Sequence, residues 1–133
     1  MTEDILQRAR TIAVVGLSTS PFKDAHRIPA AMQQLGYRVI GVHPTAHELL
    51  GEPAYRRLAD IDEHIDIVNV FRPAAEAAGI AQEAAAIGAD ALWLQLGIRS
   101  AKAARIATAA GMDYVEDRCI AVDARMYGVR RSA

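Results

Sequence analysis

The stretch Ile12-Ala13-Val14-Val15-Gly16-Leu17-Ser18-Thr19-Ser20-Pro21-Phe22-Lys23 constrains the fold more than any other part of the chain. A short apolar run ends at a glycine, enters a hydroxyl-rich turn and meets a helix-compatible segment carrying Lys23 and Arg27. The run reads as a buried parallel strand, and Gly16 removes the side chain that would keep an anion from the backbone. A helix that follows directly points its free N–H groups at the same spot. Lying near the start of a 133-residue chain, the unit reads as the first strand and switch-point loop of an α/β sheet.

The rest of the chain repeats the alternation. Thr2, followed by Glu3 and Asp4, opens a short helix to about Arg10, and the first strand spans Thr11 to Val15. Ile28, Ala31, Met32 and Leu35 recur at helical spacing before Gly36, with Pro29 expected in the tolerant first turn. A strand from Tyr37 to Val42 ends at His43-Pro44, and the polar stretch after it holds a short third strand or an extended edge near Pro53 to Arg57. Ile65 to Phe71 is a further strand, Ala74 to Ile87 a helix stopped by Gly88, and Ala91 to Leu96 a strand ending at Gly97. Ser100 caps a helix to about Ala110, and Met112 to Glu116 is the last strand. With no hairpin signal, the order implies right-handed crossovers and a parallel sheet covered on both faces. The expectation is one domain over residues 1–133, a small doubly wound, Rossmann-like sheet in three α/β/α layers.

Composition narrows the function classes. At 52% apolar and 23% charged residues the chain reads as globular, and burial of roughly two-thirds of its unfolded surface needs no staples. A net charge of −1 offers no field for nucleic acid or an anionic membrane, so anion binding must be local. The single cysteine, Cys119, excludes an internal disulfide framework and suits a reducing compartment. No apolar run approaches the ~20 residues of a membrane span, and the N-terminal segment lacks a signal peptide's apolar core. A cytoplasmic protein is expected.

Ligands of such sheets lie outside the carboxyl ends of the strands. Gly16, Ser18, Thr19 and Ser20 suit a pyrophosphate, with Lys23 and Arg27 adding charge. Val42, His43 and Pro44 end the second strand, where dinucleotide folds place an acid for the ribose hydroxyls. No carboxylate stands there, which favours a phosphorylated ribose over NAD. Val42 and Pro44 are placed to flank a purine; His43 is either a ligand contact or a satisfied strand-end histidine. Phe71-Arg72-Pro73, Gln95 and Gly97 complete the set of strand-end residues. His43 and His47 are four apart, but Pro44 keeps them off one helical face, so no metal site is expected. Cys119 follows Arg118 and is either a thiol near the ligand or a small buried residue. Trp93, between Leu92 and Leu94, reads as core. No catalytic constellation is evident.

In order and spacing, Val15-Gly16-Leu17-Ser18 with Pro21 and Lys23, Leu35-Gly36-Tyr37-Arg38-Val39-Ile40 with Val42-His43-Pro44, Asp66-Ile67-Val68-Asn69-Val70-Phe71-Arg72, Leu92-Trp93-Leu94-Gln95-Leu96-Gly97 and Asp117-Arg118-Cys119 resemble one family. It is that of the small stand-alone CoA-binding domain proteins, relatives of the N-terminal domain of the succinyl-CoA synthetase α subunit. The resemblance runs from about Ile5 to Tyr127. It implies that Gly16, Ser18, Ser20 and Lys23 hold CoA phosphates. It further implies that Val42 to Pro44 and Phe71 to Pro73 border the adenosine and pantetheine paths, with Gln95 and Gly97 near the thiol. Lys23 replaces a frequent arginine and His43 a frequent asparagine. The synthetase's second domain has no counterpart here, so ligase activity does not carry over. The expected function is binding of coenzyme A or an acyl-CoA as a non-catalytic carrier, sensor or partner module, with the protein partner unknown. An NAD(P)-binding oxidoreductase or redox sensor is the alternative, and a CoA-linked thiol enzyme using Cys119 is a third reading.

Overall fold

Runs of β-branched and other apolar residues become β1 (Thr11–Val15), β2 (Arg38–Val42), β5 (Ile67–Val70) and β6 (Ala91–Leu94), with β7 (Asp113–Val115) at one edge. The computed structural model of the chain describes residues 1–131. These strands form one parallel sheet in the order β2-β1-β5-β6-β7. The order reverses at β1, so the crevice between the carboxyl ends of β1 and β5 is the switch point. The sheet is Rossmann-like, and residues alternate cleanly between its two faces. Ile12, Val14, Ile67 and Trp93 join a core with α1 (Thr2–Arg8), α2 (Asp24–Gln34) and α5 (Ile120–Met126). Ala13, Val68, Val70, Leu92 and Leu94 join a second core with α3 (Ala74–Ala86) and α4 (Ala101–Ala109). Alanines on α3 and α4, among them Ala77, Ala81, Ala103 and Ala107, are fully buried and let those helices lie close. Trp93 is completely buried, and its ring N–H donates to the Arg118 carbonyl at 2.9 Å. Ser100 caps α4 as expected, its hydroxyl accepting from the Ala103 N–H at 3.1 Å.

Four elements differ from the sequence reading. Residues 48–53 form a two-stranded hairpin, β3 (Glu48–Leu49) and β4 (Glu52–Pro53), turned by Leu50 and Gly51 at φ 55° and 77°. Two successive positive φ values are what a tight hairpin turn requires, and a leucine in the first position hides that signal. Helix α5 was not anticipated. It is one of the shortest helices, and Ile120, Ala121 and Ala124 bury its inner face against α1 and α2. Thr2 lies inside α1 instead of capping it, and its hydroxyl donates to the Tyr127 oxygen at 3.1 Å.

Pro29 is the fourth difference. Helix α2 begins at Asp24, so Pro29 sits beyond the first turn and cannot supply the N–H that the Ala25 carbonyl would otherwise receive. That carbonyl instead accepts from the Ser18 N–H at 3.0 Å. The proline thus frees an acceptor that ties the loop after β1 to the helix.

Gly16, where β1 leaves the sheet, has φ +93°, and a Cβ there would lie 2.8 Å from the Phe71 carbonyl oxygen and 2.9 Å from Arg72 Cδ. The end of β5 therefore requires the glycine, independently of any ligand. Gly51 also has a positive φ, +77°, but nothing lies within 4 Å of its added Cβ. Gly16→Ala should therefore destabilise the fold by about 2–4 kcal/mol, left-handed strain plus crowding, and Gly51→Ala by about 1–2 kcal/mol, strain alone. Urea unfolding of the two variants checks the difference.

At the opposite, amino-terminal end of the sheet, His64 Nε2 lies 3.0 Å from Asp90 Oδ2 and 3.6 Å from Asp66 Oδ1. The hydrogen bond to Asp90 raises the His64 pKa above its ordinary 6.5; burial opposes it, and the charges of Asp90 and Asp66 add to the rise. A raised folded-state value means that the stabilisation is complete below the unfolded pKa and is lost as pH rises through the folded one. His64→Gln should remove about 0.2–1 kcal/mol at mildly acid pH, the size of an exposed pair, and nothing at pH about 9. Denaturation midpoints across that range measure it.

Candidate ligand-binding site

Two clefts flank the switch point, one on each side of Arg72, which lines both. The first, about 450 Å³, lies between the ends of β1 and β2, the 56–58 segment and the outer face of α3. The second, about 590 Å³, lies between the start of α2, the ends of β5 and β6 and the start of α5. Both stand at the carboxyl edge of the sheet, where the strand ends release the chain.

Gly16, Val42, His43 and Pro44 line the first cleft together with Arg56, Arg57, Arg72, Glu76 and Glu83. The arginine pair reaches this place because Tyr55 extends the sheet beside β2. Its N–H donates to the Gly41 carbonyl at 3.0 Å, and its own carbonyl accepts from the His43 N–H at 2.8 Å. Among the described residues Arg56 has no ion-pair partner, and Arg57 has only a 4.0 Å approach to Asp60. Arg72, by contrast, is held by Glu76 through a pair at 3.1 and 2.8 Å, which draws the Glu76 carboxyl below its usual range. His43 Nδ1 accepts from the N–H groups of Thr45 at 3.1 Å and Ala46 at 2.9 Å. That fixes the tautomer, so the ring hydrogen sits on Nε2.

Phe71, Arg72, Pro73, Gln95 and Cys119 line the second cleft, with Asp24, Ala25, Ile28, Leu96, Ile98 and Val122. Gln95 is buried, and its Oε1 accepts from Asn69 Nδ2 and from the Ile120 N–H, both at 3.3 Å. With the oxygen fixed by two donors, Nε2 is the free end of the amide, and it has no partner. Cys119 is half-buried at the start of α5. The neighbouring Arg118 is neutralised by the buried carboxylate of Asp123 at 2.7 and 2.9 Å, so its charge is not free to serve the thiol.

Ser18, Thr19, Ser20, Lys23 and Arg27 form the loop and helix start between the clefts and line neither. Internal bonding engages Ser18, Ser20 and Arg27. Ser18 Oγ accepts from the Ser20 N–H at 3.0 Å, the Ser18 N–H is held by Ala25, and the Arg27 guanidinium is paired with Asp24. Lys23 is exposed at the N-cap of α2, where no side chain caps the first helical N–H groups. The Gly97 N–H is taken by Asp117 Oδ1 at 2.7 Å, which with Arg99 lowers the Asp117 pKa. The sequence reading missed Arg56 and Arg57. Their adjacency was the only local signal, and the pairing of Tyr55 with β2 that gives it meaning is not local.

Residues 10–125 match the sequence model of the CoA binding domain family. The chain is 42% identical over 120 residues to the Bacillus subtilis (strain 168) protein YneT, covering 90% of this chain and 89% of that one. A solved structure from Thermus thermophilus, cell-free ID.343, superposes with a TM-score of 0.89 at 36% identity, over 94% of this chain and 95% of that one. A dinucleotide-forming acetyl-coenzyme A synthetase of Ca. Korarchaeum cryptofilum shares the fold, with a TM-score of 0.73 at 22% identity, over 88% of this chain and 28% of the synthetase. The chain belongs to the CoA-binding domain family.

Proposed function

We propose that this protein binds coenzyme A across the two clefts, as a carrier, sensor or partner module without chemistry of its own. The observation that carries the reading is the pair of clefts meeting at Arg72, the first cationic on one wall and the second largely apolar. An extended ligand with a phosphorylated nucleotide at one end and an uncharged arm at the other matches that polarity.

The residues fit such a ligand in kind. Arg56 and Arg57 stand beside the end of β2, where doubly wound folds meet the ribose, and suit its 3′-phosphate. The His43 Nε2 hydrogen and the walls of Val42 and Pro44 suit the nucleoside. Lys23 and the uncapped N-terminus of α2 suit the pyrophosphate. Arg72 borders the passage to the second cleft, where Phe71, Pro73, Gln95 and Cys119 would surround the pantetheine end. Coenzyme A supplies a thiol for carrying acyl groups; this chain's residues bind and orient it. The rival NAD reading is disfavoured because β2 ends without a carboxylate, and NADP, whose ribose is also phosphorylated, is separated from CoA by titration.

Titration calorimetry with CoA, dephospho-CoA, NAD and NADP tests the proposal. CoA should bind most tightly, with NAD at least tenfold weaker; NAD binding as tightly as CoA would overturn it.

The charges divide between two phosphates. Arg56→Ala should weaken CoA binding by about 1.5–3 kcal/mol, the value of a charge-assisted contact, and leave dephospho-CoA nearly unaffected. Lys23→Ala should weaken both ligands alike, as expected of a pyrophosphate contact. The four affinities for each variant form a double-mutant-style cycle that reads the division directly.

A further inference from the structure

Arg72 stands on the divide between the two clefts, and two contacts hold it there. Its stem passes over Gly16: a Cβ on that glycine would lie 2.9 Å from Arg72 Cδ and 3.2 Å from Cγ, so the missing side chain makes room for the arginine. Its guanidinium meets Glu76 in the first turn of α3, Nε donating to Oε1 at 3.1 Å and Nη2 to Oε2 at 2.8 Å. Both side chains of the pair are 47% exposed, so neither is sealed away from a ligand. Glu76 lines the first cleft only, whereas Arg72 faces both. A molecule that runs from one cleft into the other therefore passes the guanidinium. An exposed ion pair is weak, and phosphate oxygens are strong acceptors for the planar fork of an arginine.

Resting on the CoA reading above, we infer that Glu76 is a counter-ion the ligand displaces. In the free protein it keeps Arg72 drawn onto α3, and on binding Arg72 exchanges the carboxylate for the ligand's pyrophosphate. Glu76 is thus a positioning residue that touches no ligand atom. It lowers the affinity by holding the arginine that the ligand needs.

The test is titration calorimetry with CoA and with adenosine 3′-phosphate, which lacks the pyrophosphate, on the unaltered protein, Glu76→Gln and Glu76→Asp. The glutamine removes the charge. The aspartate keeps it but is one methylene shorter, which breaks the two-bond pair. Both variants should bind CoA about two- to fivefold tighter, the worth of an exposed ion pair, and adenosine 3′-phosphate nearly as the unaltered protein does. Tightening by the glutamine alone, or equal tightening for both ligands, would make Glu76 a source of general repulsion and overturn the inference. So would CoA affinities that do not rise in either variant. In each of these cases the CoA reading stands; it falls, and the inference with it, if CoA does not bind the unaltered protein. The Arg72 Nε–H resonance of the unaltered protein gives a readout that needs no variant. Saturating CoA should shift it, and a resonance that stays in place would show that Arg72 keeps Glu76 and contradict the exchange.

Discussion

The close passage of Gly16 against the end of β5 organises the carboxyl edge of the sheet. Here the chain leaves β1 with a left-handed glycine under the Phe71 carbonyl, and strand order reverses at the same point. A side chain at this position would push β1 and β5 apart at their ends. The first cleft takes Gly16 as part of its wall, the second takes Phe71, and Arg72 belongs to both. The geometry on either side of the switch point therefore depends on one backbone contact that tolerates no Cβ.

Around that contact, buried polar groups are used as fasteners in an otherwise apolar interior. Asn69 and Gln95, neighbours on β5 and at the end of β6, bond to each other, and Gln95 also receives the first N–H of α5. Trp93 bonds to the carbonyl just before that helix. Together they fix where α5 begins, and with it Cys119 and Val122 on the cleft wall. Within this network the Gln95 Nε2 is buried without a partner.

Most of the architecture was legible because it is written in local periodicity. Apolar runs bounded by Gly16, His43, Arg72 and Gly97 mark the sheet's carboxyl edge in the bare sequence, and the alternation of Ile12, Ala13 and Val14 foretells a sheet covered on both faces. What was not legible arises from contacts between distant segments. The meaning of Arg56 depends on Tyr55 pairing with Gly41 and His43, and α5 is held by residues some 25 positions earlier. Leu50 in a left-handed turn carries no glycine signal, and the bond by which Ser18 Oγ accepts from the Ser20 N–H is not visible in the sequence.

The bond from the Ser18 N–H to the Ala25 carbonyl exists because Pro29 has no hydrogen to give. Its consequence is kinetic as much as structural. A glycine- and serine-containing loop would ordinarily sample many shapes and have to be ordered at the moment of ligand capture. Here the ordering entropy is lost on folding, since the loop is clamped to the first turn of a regular helix. Loop and helix should thus move as one body. A proline in the body of a helix, usually a defect, here leaves free the carbonyl that ties the loop after β1 to that helix.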